Sequence, residues 1–136
     1  MADTNILISG TIVEQGASAK VVDAARRGRI RLVVSPLLLE EYVEVIKRPH
    51  IADKYQEITA RVDVIVNFLR VHALMVAGVP KERVVLDDPD DDAVIACALE
   101  GNAEYIVSGD PHLKALGEYK GIKIVTAKEL VTILNL

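Results

Sequence analysis

The stretch VVLDDPDDDAVIACALEGNAEYIVSGDP, residues 84–111, decides the fold. Its first three apolar residues, 84–86, read as a short buried strand. Asp88-Pro89 then opens a helix, with aspartate as the capping side chain and proline at the first helical position. The helix runs to Glu100 and closes at Gly101-Asn102, two residues that tolerate the backbone of a helix end. Tyr105-Ile106-Val107 is the apolar centre of a second strand, which stops at Ser108-Gly109 before Asp110-Pro111 repeats the cap-plus-proline signature. Strand, helix and strand in so short a span make a βαβ unit with parallel strands.

The rest of the chain follows the same alternation. Residues 6–15 and 17–27 read as helices, the second ending at Gly28. Residues 29–35 form a buried strand, and Ser35-Pro36 starts a helix that runs to about Arg48. A further helix is expected over 53–69, a strand over 71–76, a short helix after Pro111, a strand over 122–125 and a helix over 127–134. These 136 residues read as one domain, 1–136, of α/β class. In such sheets ligands sit beyond the carboxyl ends of the strands, where Asp88 and Asp110 belong.

Composition removes several function classes. With 51% hydrophobic and 26% charged residues the chain is globular rather than disordered. Its most apolar stretch, 62–79, is interrupted by Asp63, Asn67, Arg70 and His72, so no membrane span is expected, and no signal peptide is legible. The single Cys97 lies among apolar neighbours and suits a buried side chain in a reducing cytoplasm. A net charge of −4 argues mildly against binding nucleic acid by bulk electrostatics. Arg26, Arg27, Arg29 and Arg31 nevertheless fall close together, and read as a solvated surface. One Phe, four Tyr and no Trp make a base-stacking platform of the single-strand-binding kind unlikely.

Acidic residues recur where strands hand over to helices or on a helix face: Asp3-Thr4-Asn5, Glu40-Glu41 in the helix after Pro36, the run 87–92 and Gly109-Asp110. Carboxylates brought together repel unless a cation neutralises them, and hard divalent ions are the usual partner. Each position also has a plain reading. Asp88, Asp90 and Asp91 suit a cap and the first turn of a helix, and Asp110 suits a cap. Asp92 lies further into its helix, beside Ile95, Ala96 and Leu99, and needs another reason. Glu41 sits on the shoulder of the apolar arc formed by Leu38, Leu39, Tyr42, Val45 and Ile46; helical phase alone leaves it either a ligand or a boundary residue. His50, His72 and His112 show no zinc-type spacing, and there is no glycine-rich phosphate loop or nucleophile elbow.

Four segments in order, DTNILIS (3–9), SPLLLEEY (35–42), DPDDD through Ala98 (88–98) and IVSGD (106–110), closely resemble PIN-domain ribonucleases, best of all the VapC-like toxin branch of toxin–antitoxin systems. The resemblance implies a three-layer α/β/α sandwich with a central, mostly parallel sheet. It also implies endonucleolytic cleavage of RNA that depends on Mg²⁺ or Mn²⁺. Carried over by residue, the acidic quartet of catalytic metal ligands falls on Asp3, Glu41, Asp92 and Asp110, with Asn5 and Ser108 in support. Implied partners are an RNA substrate, a cognate antitoxin protein and a second copy of the chain in a homodimer, in the cytoplasm. The abundance of apolar residues in 62–79 points the same way on dimerisation. Two features depart from the family pattern: only Met1-Ala2 precede Asp3, and His112 stands where relatives often carry another aspartate. The rival expectation is a PIN-like scaffold that binds a partner or RNA without cutting. A receiver-like domain is a poorer fit, because Asp3 lacks an acidic neighbour and the other acids fall in the wrong elements.

Overall fold

The computed structural model describes residues 1–52, 57–81, 83–85 and 89–136, and the side chains of residues 89 and 90 are not part of that description. The expected helix start at Asp53, the last residue of the 84–86 strand, and the caps and charges at Asp87, Asp88 and Asp90 therefore lie outside the described residues.

Asp3 caps the first helix, α1 (Thr4–Ile12), which begins two residues earlier than its apolar run suggested because that cap comes first. A second helix, α2 (Ala17–Arg26), packs tightly on it: a Cβ on Gly10 would lie 2.5 Å from Val22 Cγ2 and 2.6 Å from the Ser18 carbonyl oxygen, so only glycine fits. Strand β1 (Val33–Val34) leads to Ser35, whose hydroxyl accepts from the Leu38 amide and starts α3 (Pro36–Ile46). Then come α4 (Pro49–Ala52), α5 (Ile58–His72) and β2 (Leu74–Met75). Helix α6 (Pro89–Glu100) is followed by β3 (Tyr105–Val107), α7 (Pro111–Leu116), β4 (Glu118–Tyr119), β5 (Ile122–Val125) and α8 (Ala127–Leu134).

Several expectations change in detail. The strand expected over 71–76 shrinks to two residues, because the buried stripe Ile58, Val62, Ile65, Val66 and Leu69 carries the helix on to His72. The strand expected over 29–35 pairs only at Val33 and Val34. Val84 and Val85 are not in a strand at all. Helix α4 and strand β4 were not foreseen, although Lys120 and Gly121 both have positive φ, 48° and 84°, as a tight two-residue hairpin turn requires.

Among the described residues the strands form two small sheets rather than one continuous one. β1 and β2 are parallel, in register Val33↔Leu74. In the other, β5 lies between β3, parallel to it, and β4, antiparallel. Ala2 adds a parallel bridge to Val107. The architecture is α/β, and its strands feed two hydrophobic clusters alternately. Val34, Val107 and Val125 enter a core with α1, α2, α3, α5 and α8, while Val33, Ile106 and Ile124 enter a second with α6 and α7. That is the period-two consequence of strands with helices on both sides. Among the described residues no helix is long and apolar enough to cross a membrane.

Candidate active site

The Ala2 bridge sets the position of Asp3. The Val107 amide donates to the Met1 carbonyl at 2.8 Å, and the Asp3 amide donates to the Val107 carbonyl at 3.0 Å, so Asp3 emerges beside the carboxyl end of β3. As the cap of α1 it must turn one oxygen to the helix, and Oδ1 accepts from the Ile6 amide at 3.0 Å. Its other oxygen accepts a hydrogen bond from the Ser108 hydroxyl. Asp3 is only 6% exposed. Burial pushes its carboxyl above the usual carboxylate range; the Ser108 and Ile6 bonds pull it back, and the charge of Asp110 pushes it further up.

Ser108 joins the two strand-end acids. Its amide donates to the Val125 carbonyl at 2.9 Å, which fixes it across β5, and its Oγ accepts from the Asp110 amide at 3.0 Å while donating to Asp3. Asp110 caps α7 through Oδ1, which accepts from the His112 amide at 2.8 Å; His112 Nδ1 lies 3.7 Å from that same oxygen. A third acid meets them from α6. One carboxylate oxygen of Asp91, one of Asp110 and one ring nitrogen of His112 all lie within 4.8 Å of one another.

The sequence-derived residues divide accordingly. Asp3, Ser108 and Asp110 are brought together. Glu41 is exposed on α3, outside the cluster, and Asn5 is exposed on α1, its backbone amide helping to hold the Asp3 carboxylate. Asp92 is buried but turned away from the strand ends: Oδ1 accepts from the amides of Val84 at 2.9 Å and Val85 at 2.8 Å, and Oδ2 lies 3.6 Å from Arg83 Nε. Two members of the cluster, Asp91 and His112, were not expected there. Helical phase does not separate Asp91 from Asp92: both are buried, and each has buried apolar residues along its own row. His112 carried no signal beyond its place two residues after Asp110.

The donor set suits a divalent cation. Oxygen ligands bind Mg²⁺ or Ca²⁺ at about 2.0–2.6 Å, so atoms gathered within 4.8 Å can share one ion with small side-chain adjustments. Carboxylates suit Mg²⁺ and Mn²⁺, and an imidazole beside them leans towards transition ions. Asp3, pushed towards protonation and linked through Ser108, is placed to gain most from added positive charge.

A family model described as PIN domain matches residues 1–112, which is most of the chain, and the chain therefore belongs to the PIN-domain family. Membership carries nuclease activity in general and the divalent metal ions these domains generally use. Comparison with curated proteins and with solved structures finds no match.

Proposed function

We propose that this PIN-domain chain is a divalent-metal-dependent endoribonuclease, the toxin of a toxin–antitoxin pair. The observation that carries this reading is the convergence of Asp91, Asp110 and His112 beside the Asp3–Ser108 hydrogen bond, at the carboxyl end of β3. Asp91 and Asp110 would hold the cation with His112, with Asp3 supporting it through Ser108; Glu41, carried over from the resemblance, lies on α3 outside this cluster. Asp92, the fourth acid of the family quartet, acts on this account by fixing α6 against residues 84 and 85.

Mg²⁺ or Mn²⁺, when bound, supplies a water of lowered pKa and positive charge at the scissile phosphate. The chain's own residues provide the remainder. Ser108 orients Asp3 and, by accepting from the Asp110 amide, fixes the turn that presents Asp110. Basic side chains hold the RNA backbone without reading its sequence. RNA as substrate implies the cytoplasm as compartment. A single central sheet in a three-layer sandwich is supported by the alternation of strand residues between the two cores. A homodimer is supported by the exposure of Val64, Val71, Met75 and Val79 within one apolar segment.

The deciding experiment incubates the purified chain with RNA and Mg²⁺ or Mn²⁺, then repeats it in EDTA. Endonucleolytic cleavage that vanishes in EDTA and in Asp110→Asn is the expected result. Cleavage that persists in EDTA sinks the metal site, and a wild type that binds RNA but cuts it with neither metal leaves the non-catalytic scaffold as the better reading. Growth arrest on expression, relieved by a neighbouring gene product, tests the toxin role. Sedimentation at micromolar concentration tests the dimer.

A further inference from the structure

At the opposite end of β3 basic side chains gather. A groove of about 480 Å³ opens where α2 ends and the chain turns into β1, and its lining includes Arg26, Arg27, Arg29 and Arg31. Phe68 and His72, from the last turn of α5, form the facing wall. Among the described residues no acidic side chain lines it. An adjoining hollow shares Arg29 and Arg31 and is lined by Leu74, Ala103, Glu104 and Tyr105, so the groove lies near the starts of β1, β2 and β3, with one acid, Glu104, in the neighbouring hollow. The carboxylate cluster, by contrast, follows the end of β3.

Four arginines thus share one groove in a chain of net charge −4, a concentration of positive charge that favours an anion. Two are already oriented. Arg27 Nε lies 2.8 Å from Asp23 Oδ2, and Arg29 donates to the Asn135 carbonyl at 3.2 Å. The planar fork of arginine matches phosphate in pairs of parallel hydrogen bonds. The Phe68 and His72 rings, 4.8 Å apart and tilted by 31°, add an aromatic wall suited to a nucleobase. The volume falls within the range of about 300–1,000 Å³ common for small-ligand sites. An acidic peptide would use the arginines but not the rings.

We propose that this groove binds a nucleotide unit, its phosphate on the arginines and its base against His72 and Phe68, at a site separate from the carboxylate cluster. The unit is either a free nucleotide or one residue of an RNA strand, and the shared chemistry is phosphate beside a base. The inference does not depend on the nuclease reading.

The test titrates the full chain, in EDTA so that nothing is cleaved, against two probes: fluorescently labelled adenosine monophosphate and a labelled short oligoribonucleotide. Binding of the mononucleotide identifies a small-molecule site; binding of the oligonucleotide alone identifies a strand anchor. In either case Arg26→Gln with Arg31→Gln, which disturbs none of the bonds made by Arg27 and Arg29, should weaken binding at least about tenfold. For the oligonucleotide it should also reduce the salt slope by about 1.4, at about 0.7 per lost phosphate contact. His72→Ala should weaken binding about fivefold by removing part of the stacking wall. Asp63→Asn, exposed on α5 and outside both the groove lining and the carboxylate cluster, should bind both probes as wild type does, and no cleavage contributes in EDTA, so loss of this site is read separately. Thermal melting accompanies each variant, and if the double arginine variant melts early, His72→Ala decides. The proposal is overturned if neither probe binds, if well-folded variants bind as wild type, or if oligo-aspartate displaces the probe as well as unlabelled nucleotide does.

Discussion

Helix α6 carries carboxylates of two kinds, and comparing the two edges it touches explains both. Towards residues 77, 78, 84 and 85 its acids face backbone amides. Asp92 accepts from Val84 and Val85, and Glu100 accepts from Ala77 at 3.1 Å and Gly78 at 3.1 Å, clamping the segment after β2 from both ends of the helix. Towards the end of β3 the helix presents Asp91 to Asp110 and His112, near the buried Asp3. The residue type is the same at both edges. Where backbone amides donate to the carboxylate, the acid works as a structural clamp. Where acids crowd one another, as Asp110 does Asp3, the negative charge is disfavoured and a cation would relieve it.

The sharpest way to break this contrast is to neutralise one acid at each edge. Asp110→Asn or Asp91→Asn should lower metal-dependent RNA cleavage by about a hundredfold or more, the scale of losing one charge-stabilising group, with folding unchanged or improved. Gel-resolved cleavage rates beside melting curves check it; equal loss of cleavage and of stability would erase the distinction. At the other edge, Asp92→Ala leaves two amides without their charged acceptor and should destabilise the fold by about 3 kcal/mol, at about 1.5 kcal/mol or more for each bond to a charged group. Urea denaturation measures this, and a Tm equal to wild type would show that Asp92 is not a clamp.

Asp3 gives the comparison a pH axis. Its folded-state pKa is raised, so the folded chain binds that proton more tightly than the unfolded chain. Its contribution is therefore fully present at low pH and is lost as pH rises from the ordinary carboxylate range through the raised value. In EDTA, Asp3→Asn should flatten that decline, and in wild type added Mg²⁺ or Mn²⁺ should offset it. Identical pH profiles for wild type and variant would remove Asp3 from the strained set. The smallest effect belongs to Glu100→Gln. This side chain is exposed, so weakening its two amide bonds should cost under about 1 kcal/mol in the same denaturation assay.

Legibility in the sequence followed local chemistry. The extents of α6, β3, β5 and α8 agree with expectation because caps, prolines and turn residues mark their ends, as in the Thr126–Glu129 capping box of α8. The extent of β1 and β2 was not legible, because it depends on how many residues find a partner strand. Strand β4 was missed although Lys120-Gly121 advertised a hairpin. Asp110 could be located from the strand and helix boundaries alone, whereas the place of Asp3 depended on whether Met1-Ala2 join the sheet, which the bridge from Ala2 to Val107 supplies. The exchange between Asp91 and Asp92 could not, because both are buried and adjacent helical residues point about 100° apart, and it is the amides of residues 84 and 85, on another segment, that engage Asp92 while Asp91 meets Asp110 and His112.

Gly78 was needed where its backbone crosses Ser35 and Cys97: φ is 70°, and a Cβ there would lie 2.6 Å from Cys97 Sγ. A different kind of constraint lies in the neighbouring pairs Val33/Val34, Ile106/Val107 and Ile124/Val125, each of which sends one side chain to each core. Exchanging valine for isoleucine within such a pair alters volume by a methyl group on either side. Inserting or deleting one residue exchanges the two faces altogether, and in β3 it would also rotate Ser108 away from Asp3. Sequence drift by substitution is thus open to these strands, while drift by single-residue length change is closed, and related chains should vary in length in their loops but keep a fixed count from Tyr105 to Asp110.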